Sequence, residues 1–316
     1  MKLLASSSQR TQGLVLLLSG TALIAVMDAL VKLLSHSYST LQIAWGRYAV
    51  SAILLFLVIE PRRSFARLRT RRLSLHLLRT ALLLSATVCF FAALRTLSLA
   101  DANAIFFSSP LLITVLSCWI LRESIGARRW LAVLAGFAGV LLVMRPGSGT
   151  LGAAALLPLI AASCSALYHV MTPVLARTED PANTLHFMAL VAGVGLLPVV
   201  PFFWTAFDAA GAVGIVAIGT LGTAGHFLLI RAFQTVPAST LSPFLYVYLV
   251  WATILGWLIF SDVPSVATIA GAVVIIASGL YVYRQPIPAA GEIEPITATT
   301  LPAPESLTSM RERSVE

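Results

Sequence analysis

Long apolar runs alternate with short polar segments along this chain, and that alternation predicts the architecture. Ten stretches are apolar and long enough to cross a bilayer: residues 12–34, 40–59, 75–97, 103–121, 129–145, 151–174, 183–203, 211–230, 238–259 and 266–283. A spanning helix needs about 20 mostly apolar residues. Lipid offers no partner to a backbone N–H or C=O, so only a helix or a closed barrel can satisfy every one of them. Barrel strands are alternating segments of about ten residues, and these runs are longer and continuous. The predicted fold class is all-α: a polytopic membrane bundle of ten transmembrane helices.

Composition points the same way. Hydrophobic residues make up 58% of the 316 and charged residues 11%, where a soluble domain carries about 25% charged. So little polar surface could not cover so large an apolar content in water. The net charge of +8 would raise nucleic-acid binding for a soluble protein, but here the basic residues sit in short connections between apolar runs. The segment 62–72 holds six arginines, and 122–129 is also basic. Counting spans, both fall on the side of the N-terminus, with Lys2, Arg10, Arg177, Arg231 and Arg284. The loops near 35–39, 98–102, 146–150, 204–210 and 261–265 carry no Lys or Arg. The basic side is expected to be cytoplasmic, which puts both termini in the cytoplasm and nucleic acid outside the expected partners.

Asp28 and Lys32 fall within the first apolar stretch, so residues 1–11 read as a cytoplasmic N-terminus before a retained helix and not as a cleaved signal. Cys89, Cys118 and Cys164 lie inside apolar stretches and read as small buried hydrophobes, without disulfide or metal spacing. Residues 285–316, rich in Pro, Thr, Ala and Glu, lack periodicity and read as a disordered cytoplasmic tail.

Sliding the chain against itself by 139 residues brings Gly13 onto Gly152, Arg47 onto His186, Ala93 onto Ala232, Thr96 onto Thr235 and Glu123 onto Asp262. The halves, 12–145 and 151–284, then hold five spans each. An odd number of spans makes the second half start on the opposite side of the membrane. The two halves are thus inverted repeats about a pseudo-two-fold axis in the membrane plane, a plan that places solute sites near the midplane.

Several segments in their order resemble the drug/metabolite transporter superfamily, in its ten-helix bacterial branch of two EamA-type repeats. They are Phe91-Ala92-Ala93-Leu94-Arg95-Thr96-Leu97-Ser98-Leu99-Ala100, then Ser109-Pro110, then Leu121-Arg122-Glu123-Ser124, then Ala135-Gly136-Phe137-Ala138-Gly139-Val140. The second half is similar through Arg231-Ala232-Phe233, Asp262, Gly271 and Gly279. It lacks a proline aligned with Pro110, since Pro243 lies nearer the start of its span. The resemblance covers roughly residues 10–284. It implies transport of a small metabolite and leaves the solute open.

Charges within a membrane cost about 2.5–3.5 kcal/mol each on insertion scales and face the bundle interior. Asp28 and Lys32, four apart, share one face of the first span, and Gln42 and Arg47 lie on the second. Asp28 sits roughly 9 Å and Arg47 roughly 10 Å from the ends of their helices, which puts them at similar depth. Two readings stay open. In one, Arg47 and Lys32 receive an anionic group and Asp28 receives an ammonium group or a coupling proton. In the other, Asp28 forms a structural pair with Lys32 or Arg47.

In the second half, Tyr168 and His169, His186, and His226 lie on the sixth, seventh and eighth spans. Each histidine is either a titrating group or a packed hydrogen-bonding one. Tyr246, Tyr248 and Trp251, with Phe106, Phe107 and Trp119, are either an aromatic cage for an apolar or cationic ligand or packing residues. The site candidates are Asp28, Lys32, Gln42, Arg47, His169, His186, Tyr246 and Trp251, with Pro110 as a hinge. Gly136, Gly139, Gly271, Ala272 and Gly279 predict close helix contacts. Asp101 and Asn103 are expected to cap the fourth helix.

The sequence has no nucleotide-binding glycine loop, zinc spacing or nucleophile motif. Neither cofactor nor metal is expected, and the chain is not read as an enzyme. The expected function is secondary active transport of a small polar or zwitterionic metabolite (amino acid, amino acid derivative, cofactor or metallophore) across the bacterial inner membrane by alternating access. The alternatives are a non-transporting membrane partner subunit and a lipid-modifying membrane enzyme. Expected partners are the small-molecule solute, a coupling proton or ion, membrane lipid, and a second copy of the chain in a homodimer.

Overall fold

The computed structural model describes residues 7–58, 72–120, 126–145, 152–176, 181–235 and 242–284. Regular structure among the described residues is helical throughout: α1 (Ser7–Leu34), α2 (Thr40–Val58), α3 (Leu73–Leu94), α4 (Leu99–Phe106), α5 (Ser109–Ile120), α6 (Ala127–Met144), α7 (Leu156–Ala176), α8 (Pro181–Leu196), α9 (Ala209–Thr235), α10 (Val247–Phe260) and α11 (Val266–Arg284). Short 3-10 turns cover Gly152–Ala155, Val200–Phe203 and Ser242–Tyr246. Each predicted span has its helix, and the fourth is two helices end to end, α4 and α5. Six segments are long and apolar enough to cross a membrane, and four shorter apolar helices complete the ten.

The bundle is apolar on the outside and built of small residues within. Leu57, Leu131, Val213 and Val266 are exposed, whereas Ala44, Ala93, Ala161, Ala162 and Ala166 are fully buried. Lipid tails are as apolar as leucine, so exposed side chains cost nothing there, and small buried ones let helices approach. The closest approach joins α6 to α11. A Cβ on Gly139 would lie 2.9 Å from the Gly271 carbonyl oxygen, and one on Gly271 would lie 2.6 Å from that of Gly139.

Packing follows the inverted repeat. α1 packs on α9, and its equivalent α7 packs on α3; α1 packs on α10, and α7 on α5. Three further contacts, α2 with α8, the fourth span with the ninth through α4 and α10, and α6 with α11, join each span to its own repeat partner. They therefore lie along the pseudo-two-fold axis.

The face where α1 begins is here the proximal face, and the opposite one the distal face. Arg72, Arg128, Arg231 and Arg284 are exposed at proximal helix ends. The arginines of 62–71, residues 122–125 with Glu123, Arg177 and the segment 285–316 lie outside the described residues. Hydropathy assigns Arg95 and Arg145 to spans, but α3 ends at Leu94 and α6 at Met144. Both arginines therefore stand at the distal face, which is less devoid of positive charge than the loop count predicts.

The fourth span starts earlier than its apolar pattern, at Leu99. Its N-cap is Ser98, whose Oγ accepts from the Asp101 N–H at 3.0 Å and donates to the Asp101 carboxylate at 2.7 Å. Asp101 thus completes the cap from within the first turn. Asn103 is not a cap; its Nδ2 donates to the Leu99 carbonyl one turn back, at 2.9 Å. The helix then breaks at Phe107 and Ser108. Pro110 has no N–H to give the Phe106 carbonyl and disfavours a helical residue before it. Both Ser108 N–H to Ile105 C=O and Leu111 N–H to Ser108 C=O, each 3.0 Å, close tight three-residue turns around the break.

Candidate functional site

Helices α1, α2, α3, α9 and α10 meet in the interior. There Arg47, half-buried, donates from Nη1 to Thr87 Oγ1 at 3.3 Å. The Thr87 hydroxyl is in turn 2.8 Å from the Tyr48 hydroxyl. The guanidinium lies 5.2 Å from the Tyr48 ring centroid and 5.7 Å from that of Phe91. Gly222 on α9 makes room for it, since a Cβ there would lie 3.3 Å from Arg47 Nε and 2.8 Å from Met27 Sδ. His226 donates from Nδ1 to the Gly222 carbonyl at 2.8 Å, which leaves Nε2 of the neutral ring as an acceptor. Thr87 and His226 are repeat partners (226 − 87 = 139). Arg47 hydrogen-bonds the first and lies against Gly222, whose carbonyl accepts from the second, so the arginine sits close to the pseudo-two-fold axis.

Asp28 is buried on α1 and accepts a hydrogen bond from the Tyr248 hydroxyl of α10. Met27, the chain neighbour of Asp28, shares Gly222 of α9 with Arg47. The described ion pair of the chain nevertheless joins neither expected couple: Lys32 pairs with Asp262 at 2.5 Å. Although Asp28 and Lys32 share a face of α1, they serve partners at opposite ends of α10. Among the described residues no ion pair joins Asp28 to Lys32 or to Arg47, the couples of the structural reading.

A second polar group lies at the distal face. Gln42, fully buried, donates from Nε2 to the Thr205 carbonyl at 2.6 Å and accepts the Thr205 N–H on Oε1 at 3.1 Å. Tyr38 donates to Asp208 Oδ1 at 2.8 Å and accepts the Asp208 N–H at 3.3 Å. Asp208 also caps α9 by accepting the Gly211 N–H at 2.6 Å. That backbone bond, with the Tyr38 hydroxyl second, holds the Asp208 carboxyl below the usual carboxylate range. The bond to Asp208 and then burial hold the Tyr38 hydroxyl above its ordinary value. Thr268 donates to Asp101 at 2.5 Å.

Sequence reasoning missed Arg79. It is buried on α3, about 9 Å inside the proximal end. Its Nη2 donates to the Tyr168 hydroxyl at 2.8 Å, and its guanidinium lies 4.1 Å from that ring's centroid. The signal was available, since a lone charge inside a span marks the interior, but the surrounding apolar run hid it.

The other candidates scatter. His169, exposed on α7, stands edge-on to Tyr168 at 5.2 Å. His186 lies on α8, and its side chain is outside the described residues. Trp251 packs on the core beside Tyr248, and its indole N–H is buried without a partner, as is the Ser108 hydroxyl at the helix break. Phe107 links Tyr246 and Tyr248 at 5.5 and 5.8 Å, but the Tyr246 hydroxyl lies against Gly279 of α11, away from Arg47. Trp119 is 75% exposed and belongs to no cage; it faces outward from the end of α5. Pro110 follows the break in the fourth span directly.

A helical bundle of ten spans, inverted in two halves around a few buried charges, is the build of a membrane transporter. The chain belongs to the EamA-like transporter family, whose model matches residues 11–145 and 152–284. It is 26% identical over 260 residues to the S-adenosylmethionine uptake transporter of Rickettsia prowazekii, covering 82% of this chain and 87% of that one. It is 29% identical over 253 residues to the riboflavin transporter of Brucella anthropi, covering 77% and 87%. It is 27% identical over 278 residues to the pseudopaline exporter of Pseudomonas aeruginosa, covering 86% and 96%. A solved crystal structure with 18% identity shares the fold at a TM-score of 0.57, over 86% of this chain and 95% of that one.

The family and these relatives are named as transporters and not as enzymes, so the chain is a metabolite transporter with a small-molecule solute as its ligand. Bacterial transporter relatives and apolar helices are consistent with the inner membrane.

Proposed function

We propose that this chain is a secondary active transporter that moves a small polar or zwitterionic metabolite across the bacterial inner membrane by alternating access. The proximal face, with both termini, is cytoplasmic, in line with its arginine-rich segments. The observation that carries the solute class is the state of Arg47. Its described partners are one hydroxyl at 3.3 Å and two aromatic faces, with no carboxylate at ion-pair distance. A guanidinium presents a planar fork of donors that matches a carboxylate. A solute carboxylate or similar anion is the natural partner for it. Asp28, next to the Met27 that shares Gly222 with Arg47, receives the solute's ammonium group or a coupling proton in exchange for Tyr248.

Lys32 and Gln42 serve the distal closure and not the solute directly. His226 offers Nε2 as an acceptor next to Arg47, and Arg79 with Tyr168 lines the approach from the proximal face. Relatives named for uptake and for export share the fold, so direction is set by coupling and not by architecture. Lipid surrounds the outward-facing leucines and valines, and a second copy of the chain forms the homodimer.

The test is flux into proteoliposomes of purified protein, screened over labelled amino acids, their derivatives, vitamins and metallophores, with and without a pH gradient. Saturable flux of one compound, lost in Arg47→Ala and reduced in Asp28→Asn, is the expected result. Flux unchanged in Arg47→Ala would remove that arginine from the site.

A further inference from the structure

Two kinds of polar contact join the halves at the distal face. Gln42 with Thr205 and Tyr38 with Asp208 exchange two hydrogen bonds each, and both bind the start of α2 to the connection before α9. That seam is doubly bonded and braced by the cap of α9. The other contacts are single: Lys32 of α1 to Asp262, and Asp101 of α4 to Thr268. They bind the first half to the connection between α10 and α11 and to the start of α11.

Asp262 belongs mechanically to α10. Ser261 turns the chain back with φ of +57°, its N–H donates to the Trp257 carbonyl at 3.1 Å, and the Asp262 N–H donates to that of Gly256 at 3.0 Å. The carboxylate is thus folded over the helix end. One face of α1 therefore holds α10 at both ends: Asp28 takes Tyr248 beside Arg47, and Lys32 takes Asp262 at the rim. The Lys32 ammonium also lies 4.6 Å from the Phe260 ring centroid.

The exposure of the pair fits a contact that opens. The Lys32 side chain is 11% exposed and that of Asp262 31%. Water reaches the carboxylate, so separation costs far less than in a fully buried pair. Removing either partner alone leaves the other without its counter-charge, which is costly for the buried lysine. The repeat does not reproduce the pair: Asp262 corresponds to Glu123, but Lys32 corresponds to Met171 (32 + 139 = 171). The sequence therefore holds no copy of this pair at the equivalent position of the opposite face.

We propose that the Lys32–Asp262 ion pair is the outer gate of the transport path, opened when α10 moves off α1, while the seam at Tyr38 and Gln42 stays shut as the hinge side. This rests on the alternating-access reading above. It also gives Asp28 a way to act on the gate, since a solute or proton that takes Asp28 from Tyr248 frees the inner end of the same helix.

The test is solvent access from outside the cell. Cys89, Cys118 and Cys164 are replaced by alanine, and Ala102→Cys, fully buried on α4 where it packs against α10, serves as the reporter. Spheroplasts carrying the full chain are treated with a membrane-impermeant maleimide. Labelling is expected to be slow in this parent and at least tenfold faster with Lys32→Met or Asp262→Asn. It is expected to return toward the parent rate when Lys32→Glu and Asp262→Lys are combined. Single variants that label at the parent rate overturn the gate, and so does an increase that the charge exchange does not reverse, because general loosening would survive the exchange. Labelling needs no solute. A chain that carries no flux would defeat the transport reading while leaving the gate measured, and flux with unaltered labelling would defeat the gate alone.

Discussion

Phe107 and Tyr246, one repeat apart in sequence (246 − 107 = 139), meet ring to ring at 5.5 Å, the first at the break in the fourth span and the second where a 3-10 turn leads into α10. Their backbones match as well: φ −70° and ψ 4° at Phe107, φ −64° and ψ −14° at Tyr246. Only the first has a proline three residues on. Each interruption has a proline near it, but on opposite sides: Pro110 follows Phe107, and Pro243 precedes Tyr246 within its 3-10 turn. Replacing Pro110 with alanine restores the missing donor to the Phe106 carbonyl. The expected outcome is a higher melting temperature in detergent and a slower initial flux, as α4 and α5 gain the option of one continuous helix. Neither quantity changing would mean that the aromatic contact, and not the proline, holds the break.

Arg47 is expected to resist even conservative replacement. Arg47→Lys keeps the charge but loses the planar fork, and flux should fall at least tenfold, about 1.4 kcal/mol in transition-state terms. Melting should stay near wild type, because the hydroxyl of Thr87 still bonds Tyr48. A fall in melting temperature with flux intact would assign the arginine to packing.

Asp28 and Tyr248 can be separated by Tyr248→Phe, which removes the hydroxyl and leaves the ring on Phe107. A buried carboxylate that loses its donor is left unsatisfied, at about 1–3 kcal/mol or more. Loss of stability and of flux together is the expected result. Asp28→Asn in the same background should recover stability but not flux, because the amide is neutral. Thermal melting beside flux separates the two effects.

The distal seam depends on pH in a definite direction. The Asp208 carboxyl is held low by the Gly211 N–H and by Tyr38. Its contribution is complete above the unfolded value of about 3.9 and disappears as pH falls through the lower folded value. The Tyr38 hydroxyl is held high by Asp208, so its contribution is complete below about 10 and is lost as pH rises through the raised folded value. Melting curves of wild type and Asp208→Asn should therefore converge in acid and stand apart at neutral pH. A constant difference over the acid range would remove Asp208 from the seam.

The crossing of α6 and α11 has little tolerance. A side chain at Gly271 meets the Gly139 carbonyl oxygen at 2.6 Å and Val143 Cγ2 at 2.5 Å, and a backbone atom cannot rotate away. Gly271→Val should cost about 1–3 kcal/mol through overpacking. Gly195→Ala, where a Cβ meets nothing within 4 Å, is the matched control and should melt like wild type. Equal melting of the two would show that the helices part easily.

Much of the fold was legible because its signals are local. Apolar runs report spans regardless of what they touch, and the 139-residue echo reports inversion once five spans are counted per half. The break near Pro110 was legible for the same reason, since a proline acts on its own turn. Its counterpart at Tyr246 was less legible, because Pro243 does not align with Pro110 and the ring contact with Phe107 comes from the other half. Helix ends were less legible where an arginine followed an apolar run, as at Arg95 and Arg145. Hydropathy cannot say whether the last residue is lipid-bound or at the rim.

The sequence by itself determined that this is a ten-span inverted bundle with a few charges that lipid will not take. Only the tertiary structure decided who meets whom. Asp28 and Lys32, four residues apart on one face, part company to reach Tyr248 and Asp262, 220 and 230 residues away. Arg47 is left facing hydroxyls and rings. A charge in an apolar medium must find a partner, and its type and depth are written in the chain. The partner's identity depends on which helices pack side by side, and that follows from the close approach of small residues scattered over both halves.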